Sequence, residues 1–121
     1  MIRCGVDLVD IARLGPLVTK QRFLERVFGL QELEELQKRG MPLQSVAGSF
    51  AAKEAFLKLF ERGIFSIPLR EIQVLHRSNG APYYMLSGIA AQVAEGMELA
   101  LSITHTGTQA AAVAVAQEVQ S

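Results

Sequence analysis

A single α+β domain is what the sequence predicts, on three observations. The chain has 121 residues, the size of one compact domain and enough to bury a core. Strand-like segments rich in branched residues open and close it, while its middle is occupied by one long apolar helical stretch. Between these, Ser78-Asn79-Gly80 joins two strand-like runs as a hairpin turn. The expected architecture is a small, mostly antiparallel sheet packed against one long helix and several short helices.

"IRCGVDLVDI" alternates loosely around Val6, Leu8 and Ile11 and reads as an N-terminal strand. "ARLGPLVTKQRFLERVF" gives short helical pieces broken by Gly15 and Pro16, with Arg22 and Arg26 spaced i, i+4 and Phe23 and Val27 on the apolar side. "LQELEELQKRG" is a helix with acids early, bases late and Gly40 as its C-terminal stop. After Pro42, residues 43–62 form the longest and most apolar helix. "REIQVLHRSNGAPYYML" is the hairpin, and "SGIAAQVAEG" a short helix that Ser87 would cap and Gly96 would end. "ELALSITHT" and "QAAAVAVAQ" are the last two strands, turned at Gly107; the Val113/Val115 alternation favours strand over the helix that its alanines alone would allow.

Composition excludes several classes. Twelve basic and twelve acidic residues leave no formal net charge, so no global field draws the chain to nucleic acid or to an acidic membrane. No apolar run approaches the roughly 20 residues that span a bilayer. The lone Cys4 rules out an internal disulfide and is expected to be a small buried hydrophobe. "MIRCGVDLVD" reaches two aspartates before any apolar run, unlike a secretory signal, and the expected location is the cytoplasm.

The stretch "FAAKEAFLKLF", residues 50–60, carries the first chemical signal. With Phe50 as zero, Glu54 and Lys58 fall at roughly 40° and 80° on a helical wheel, beside Ala47 and Ala51. Val46, Phe56, Leu57 and Phe60 occupy the opposite, core-facing arc. A floor of small residues bearing one carboxylate and one amine leaves room for a ligand. The plain alternative is an exposed Glu→Lys pair contributing a few tenths of a kcal/mol. Lys53 projects near the apolar arc and needs an anionic partner, for which a ligand phosphate or a structural carboxylate would serve.

Two further stretches add to it. Asp7 sits in a strand between Val6 and Leu8, where a carboxylate is disfavoured unless a cation or donors receive it. "SITHTGT" gathers four hydroxyls and His105 at a strand end before a glycine turn, a plausible phosphate cradle or simply turn chemistry. Together the three stretches point to magnesium and phosphate.

These residues resemble holo-acyl-carrier-protein synthase, the small bacterial 4′-phosphopantetheinyl transferase family. "GVDLVDIARL" is similar to its N-terminal signature, "FAAKEAFLK" to its helical F-x-x-K-E-A-x-x-K motif and "SITHT" to its C-terminal one, with "RFLERVF" and "NGAPY" collinear between them. The resemblance implies transfer of the phosphopantetheine arm of coenzyme A to a serine of apo acyl carrier protein, with adenosine 3′,5′-bisphosphate as the other product. It implies that Asp7 and Glu54 hold Mg²⁺ (or Mn²⁺) and that Asp7, Glu54 and Lys58 are catalytic, Glu54 accepting the serine proton directly or through water. Coenzyme A would meet Lys53, Lys58, Arg62, Gly63, Thr104, His105 and Thr106. A basic first helix carrying Arg13, Arg22 and Arg26, with Lys20 adding charge, would dock the acidic carrier protein; solvated surface arginines are the alternative. The family also implies a homotrimer with active sites between subunits, Asp7 and His105 in one and the Glu54 helix from the next.

Two departures stand out. The family usually has a basic residue where this chain has Ser49, and a small Gly/Thr-type turn where it reads Glu61-Arg62-Gly63-Ile64. Arg62 is expected to restore the charge lost at Ser49. Two other functions remain open: a catalytically silent module that only binds carrier protein, and a Mg²⁺-dependent hydrolase of nucleotide diphosphates. Retained Asp7, Glu54, Lys58 and His105 argue against the first, and the basic first helix against the second.

Overall fold

The structure, a computed structural model, describes residues 1–63 and 66–119. Strand β1 (Ile2–Asp10) leads through a 3-10 turn, Ile11–Arg13, into α1 (Leu14–Leu17), α2 (Gln21–Val27), α3 (Leu30–Lys38) and α4 (Leu43–Leu59). The hairpin β2 (Ile72–His76) and β3 (Pro82–Leu86) follows, then α5 (Gly88–Val93), β4 (Met97–His105) and β5 (Gln109–Glu118). The α+β class and the antiparallel pairing are as expected. The strands form two sheets, however: a three-stranded sheet in the order β1-β5-β4, and the separate β2-β3 hairpin.

Helix α4 lies across the three-stranded sheet, and small residues make that approach possible. A Cβ on Gly5 of β1 would run into the carbonyl oxygen of Ala55, and one on Gly48 would come within 2.9 Å of the Ile103 side chain on β4. The inner face of β5 is alanine at 110, 112, 114 and 116, all buried. The stripe of small residues on α4 is therefore a contact to the sheet, because Ala47, Ala51 and Ala55 are fully buried. It is not the open floor for a ligand that the helical wheel implied.

Other local expectations need correction. Helix α4 ends at Leu59 instead of running to residue 62: Glu61 adopts a left-handed φ of 55°, and Arg62 N–H donates to the Leu57 carbonyl. Such a reversal ends a helix by satisfying its last carbonyls. The N-terminus of α5 is not capped by the Ser87 hydroxyl; the Glu71 carboxylate accepts the N–H groups of Ile89 and Ala90. Cys4 is exposed, since its side chain alternates onto the outer face of the sheet with Ile2, Val6 and Leu8. That outer face, which includes Val113 of β5, is apolar and uncovered in the single chain.

Candidate active site

The close helix–sheet contact sets up a charged site at the free edge of β1. Gly5 faces α4, so Asp7, two residues on, faces the same side beside Glu54 and Lys58. Lys58 Nζ donates to Asp7 Oδ1 at 3.0 Å and to the Val6 carbonyl at 2.9 Å. The Asp7 side chain is 15% exposed and that of Lys58 is 53% exposed, so the pair sits at the rim of the protein.

Glu54, one turn before Lys58, is half-buried. Burial pushes its carboxyl above the ordinary value, and the neighbouring Asp7 charge pushes in the same direction. Lys58 and Arg13 oppose the rise. Arg13, expected as a docking residue, thus also lies within electrostatic reach of Glu54. Two carboxylates that repel each other are a donor set a hard divalent cation would relieve. Among the described residues no group of three or more potential ligands gathers, so a cation here would draw the rest of its shell from phosphate oxygens and water, as Mg²⁺ does.

Asp7 and the Glu54 helix, which the resemblance assigned to different subunits, meet within one chain. The bond from Lys58 to Asp7 joins β1 to α4 of the same chain, so Asp7 and the Glu54 helix belong together. His105 is the residue set apart: it pairs with Ala110 of β5, which pairs in turn with Val9 of β1, so two strand spacings, about 10 Å, separate it from β1. His105 lines a cavity of about 390 Å³ with Arg39, Ser45, His76, Arg77 and Ser78. His76 Nδ1 is 2.8 Å from Glu35 Oε1 at its wall.

The hydroxyls flanking His105 do not share its surroundings. Thr104 alternates to the outer face of the sheet, and Thr106 Oγ1 accepts the N–H groups of Thr108 and Gln109, closing the turn. Arg22 and Arg26 are exposed on α2. Arg62 and Gly63 are exposed just past the end of α4, and Ile64 lies outside the described residues. Ser49 is buried on α4 ten residues before its end at Leu59, about 15 Å along the axis, and the backbone of Arg62 folds back only as far as Leu57. Within one chain Arg62 therefore cannot stand in for a charge at Ser49; the cation near Ser49 is Arg39, which lines the same recess.

Lys53 is the clearest correction. It is fully buried, and its ammonium donates to Glu32 Oε1 at 2.7 Å and to the carbonyls of Ile72 at 2.6 Å and Leu69 at 3.1 Å. Every donor is spent inside the protein, which leaves none for coenzyme A. Burial pushes the Glu32 carboxyl up and the Lys53 amine down, and each partner's charge opposes the other's shift. The structural carboxylate, one of two partners the sequence allowed, is the one present. Glu32 itself escaped the sequence reading, although its place three residues after Gly29 is a helix-start signal: its carboxylate accepts the Gly29 N–H at 3.1 Å.

Fold and site define a small α+β group-transfer enzyme with its charges at a strand–helix junction. The chain belongs to the 4′-phosphopantetheinyl transferase superfamily, whose family model matches residues 3–116. A holo-[acyl-carrier-protein] synthase from Treponema denticola is 40% identical over 115 residues, which cover 92% of this chain and 94% of that protein. Holo-[acyl-carrier-protein] synthase from Neisseria meningitidis matches with a TM-score of 0.85 at 31% identity, over 98% of this chain and 100% of that one. The Helicobacter pylori enzyme, solved in complex with coenzyme A, matches with a TM-score of 0.80 at 32% identity, over 97% of this chain and 100% of that one.

Proposed function

We propose that this chain transfers the 4′-phosphopantetheine group of coenzyme A to a serine of apo acyl carrier protein, releasing adenosine 3′,5′-bisphosphate, and that Asp7, Glu54 and Lys58 do the work. The observation that carries this reading is the Lys58–Asp7 bond beside Glu54 in a member of this family. The serine oxygen forms the new bond to the phosphorus nearest the pantetheine, and the phosphoanhydride bond to the bridging oxygen breaks. Glu54, deprotonated, accepts the serine proton. Lys58 steadies the charge that grows on the leaving phosphate, where a fixed cation acts most strongly. Asp7 and Glu54 are the residues that would hold Mg²⁺ or Mn²⁺, and such an ion supplies further neutralisation of the diphosphate.

His105, with Arg39 and Arg77 beside it, would receive coenzyme A phosphates. Because His105 and Asp7 sit at opposite edges of the sheet, one site draws on two copies of the chain. The uncovered apolar face of Ile2, Val6, Leu8 and Val113 supports a homotrimer in which these edges meet. Arg22 and Arg26 on α2, with Arg13, would steer the acidic carrier protein. No described helix is long and apolar enough to cross a membrane, and the cytoplasm, where coenzyme A and carrier protein meet, is the proposed location.

The test mixes two inactive variants, Glu54→Gln and His105→Ala, after partial unfolding and reassembly. Sites shared between subunits regain activity in the mixture, because some pairs combine an intact Glu54 with an intact His105. Sites confined to one chain regain none.

A further inference from the structure

Helix α4 is buried on nearly every side, yet the surface it turns to the sheet is made of residues with almost no shape. Ala47, Gly48, Ala51 and Ala55 meet a sheet whose centre is Gly5 and the alanines of β5, with larger side chains such as Ile103 only towards the β4 side, so little interlocking there selects one helix register. Against that centre, dispersion and apolar burial hold α4 down with little preference for one rotation. Directional contacts reach α4 elsewhere: Lys58 bonds to β1 at the rim, the Tyr84 hydroxyl donates to the Ala52 carbonyl, and the densest buried set is at Lys53.

Its ammonium is held by acceptors from three separate places: Glu32 of α3, Leu69 in the turn before β2, and Ile72 of β2. The Glu32 carboxylate is itself fixed, accepting the N–H of Gly29 on one oxygen and that of Val74 on the other. The Phe28 ring lies 5.4 Å from the same ammonium. Nothing buried in this node lacks a partner among the described residues.

We infer that the buried Glu32–Lys53 pair is a positioning device for the Glu54 carboxylate, locking the rotation and axial placement of α4 so that the next residue meets Asp7. Glu32 and Lys53 are positioning residues that touch no substrate, and the inference rests on the reading of Asp7 and Glu54 given above. Stability alone does not account for the pair, because a well-packed apolar replacement of a buried ion pair is often neutral or stabilising. What apolar packing cannot supply against a smooth sheet is an angle. At a side-chain radius of about 6 Å, a 10° turn of α4 would move the Glu54 carboxylate by about 1 Å.

The test replaces both charges at once, Glu32→Leu with Lys53→Met, in the full chain, and compares it with wild type for thermal unfolding, kcat and KM for coenzyme A. The double variant is expected to melt close to wild type, keep KM within about threefold and lose kcat by about a hundredfold, the scale of a 1 Å misplacement. A folded double variant with wild-type kcat overturns the inference and leaves the pair a matter of stability. Should the double variant fail to fold, Glu32→Gln decides, since it keeps an acceptor for Lys53 but gives up the anion that also fixes Val74. Its kcat is expected to fall about fivefold at unchanged KM, and wild-type turnover in that folded variant overturns the inference equally. Wild-type protein that transfers nothing overturns the reading of the site, and this inference with it.

Discussion

Helix α4 carries two carboxylate–ammonium arrangements a little over one turn apart, and they are opposite in character. Lys53 and Glu32 are sealed in the core, with every polar atom matched inside the protein. Lys58 and Asp7 meet at the rim beside Glu54, half open to solvent and surrounded by more charge than they neutralise. The difference lies in what surrounds each lysine: the face of Lys53 is closed by α3, β2 and the turn before it, while that of Lys58 ends at the free edge of β1. Removing one partner of a buried pair strands an uncompensated charge, whereas an exposed pair contributes little to stability and is free to act on a substrate.

That contrast is sharpest in single substitutions. Glu54→Gln should abolish transfer, by on the order of a thousandfold, with a melting temperature at or slightly above wild type, because it removes a charge that burial and Asp7 both disfavour. Steady-state assay beside calorimetry checks both halves. Lys53→Met should cost about 3–5 kcal/mol in urea unfolding, since it strands a buried carboxylate. Lys58→Met should change stability by less than about 1 kcal/mol while lowering turnover about a hundredfold. Equal stability losses at the two lysines would break the comparison.

The pH dependence sharpens it further. Glu54 has a folded-state pKa above its ordinary 4.5, so the folded state holds that proton more tightly than the unfolded chain. In metal-free protein its contribution is fully present below that pH and is lost as pH rises through the folded pKa. A pH titration of the metal-free protein should therefore show the Glu54 carboxyl losing its proton above the ordinary carboxylate range. Arg13→Ala removes a charge that lowers this pKa and should move that metal-free titration to higher pH; a titration that stays or moves down contradicts the placement of Arg13. The smallest effect belongs to the end of α4. Glu61→Gly should raise stability by about 0.5–1 kcal/mol, because glycine adopts a positive φ without the cost a side chain incurs.

The sequence and the structure agree where periodicity or turn chemistry is strong. The five strands, the long helix and the Asn79-Gly80 hairpin were all legible, and Asp7, Glu54 and Lys58 do gather. The misreadings share a cause, which is that a helical wheel shows faces but not what covers them. Ala47 and Ala51 looked like an open floor, though they are the surface on which a sheet of glycine and alanine sits. Lys53 stood near the apolar arc, but its partner Glu32 lies twenty-one residues away, beyond any local pattern. Cys4 was expected to be buried because a lone cysteine usually is; here the inner positions go to Gly5, Asp7 and Val9, and Cys4, Val6 and Leu8 face outward. That inversion is invisible until the position of α4 is known.

The most direct test of the account is the intact mass of apo acyl carrier protein after incubation with this protein, coenzyme A and Mg²⁺, with Glu54→Gln run in parallel. The wild-type protein should add the phosphopantetheine mass to the carrier, and the variant, equally folded, none. Transfer by the variant at the wild-type rate would remove Glu54 from the chemistry. Binding of several carrier proteins by the wild type without any gain in mass would make the chain a docking module instead of an enzyme.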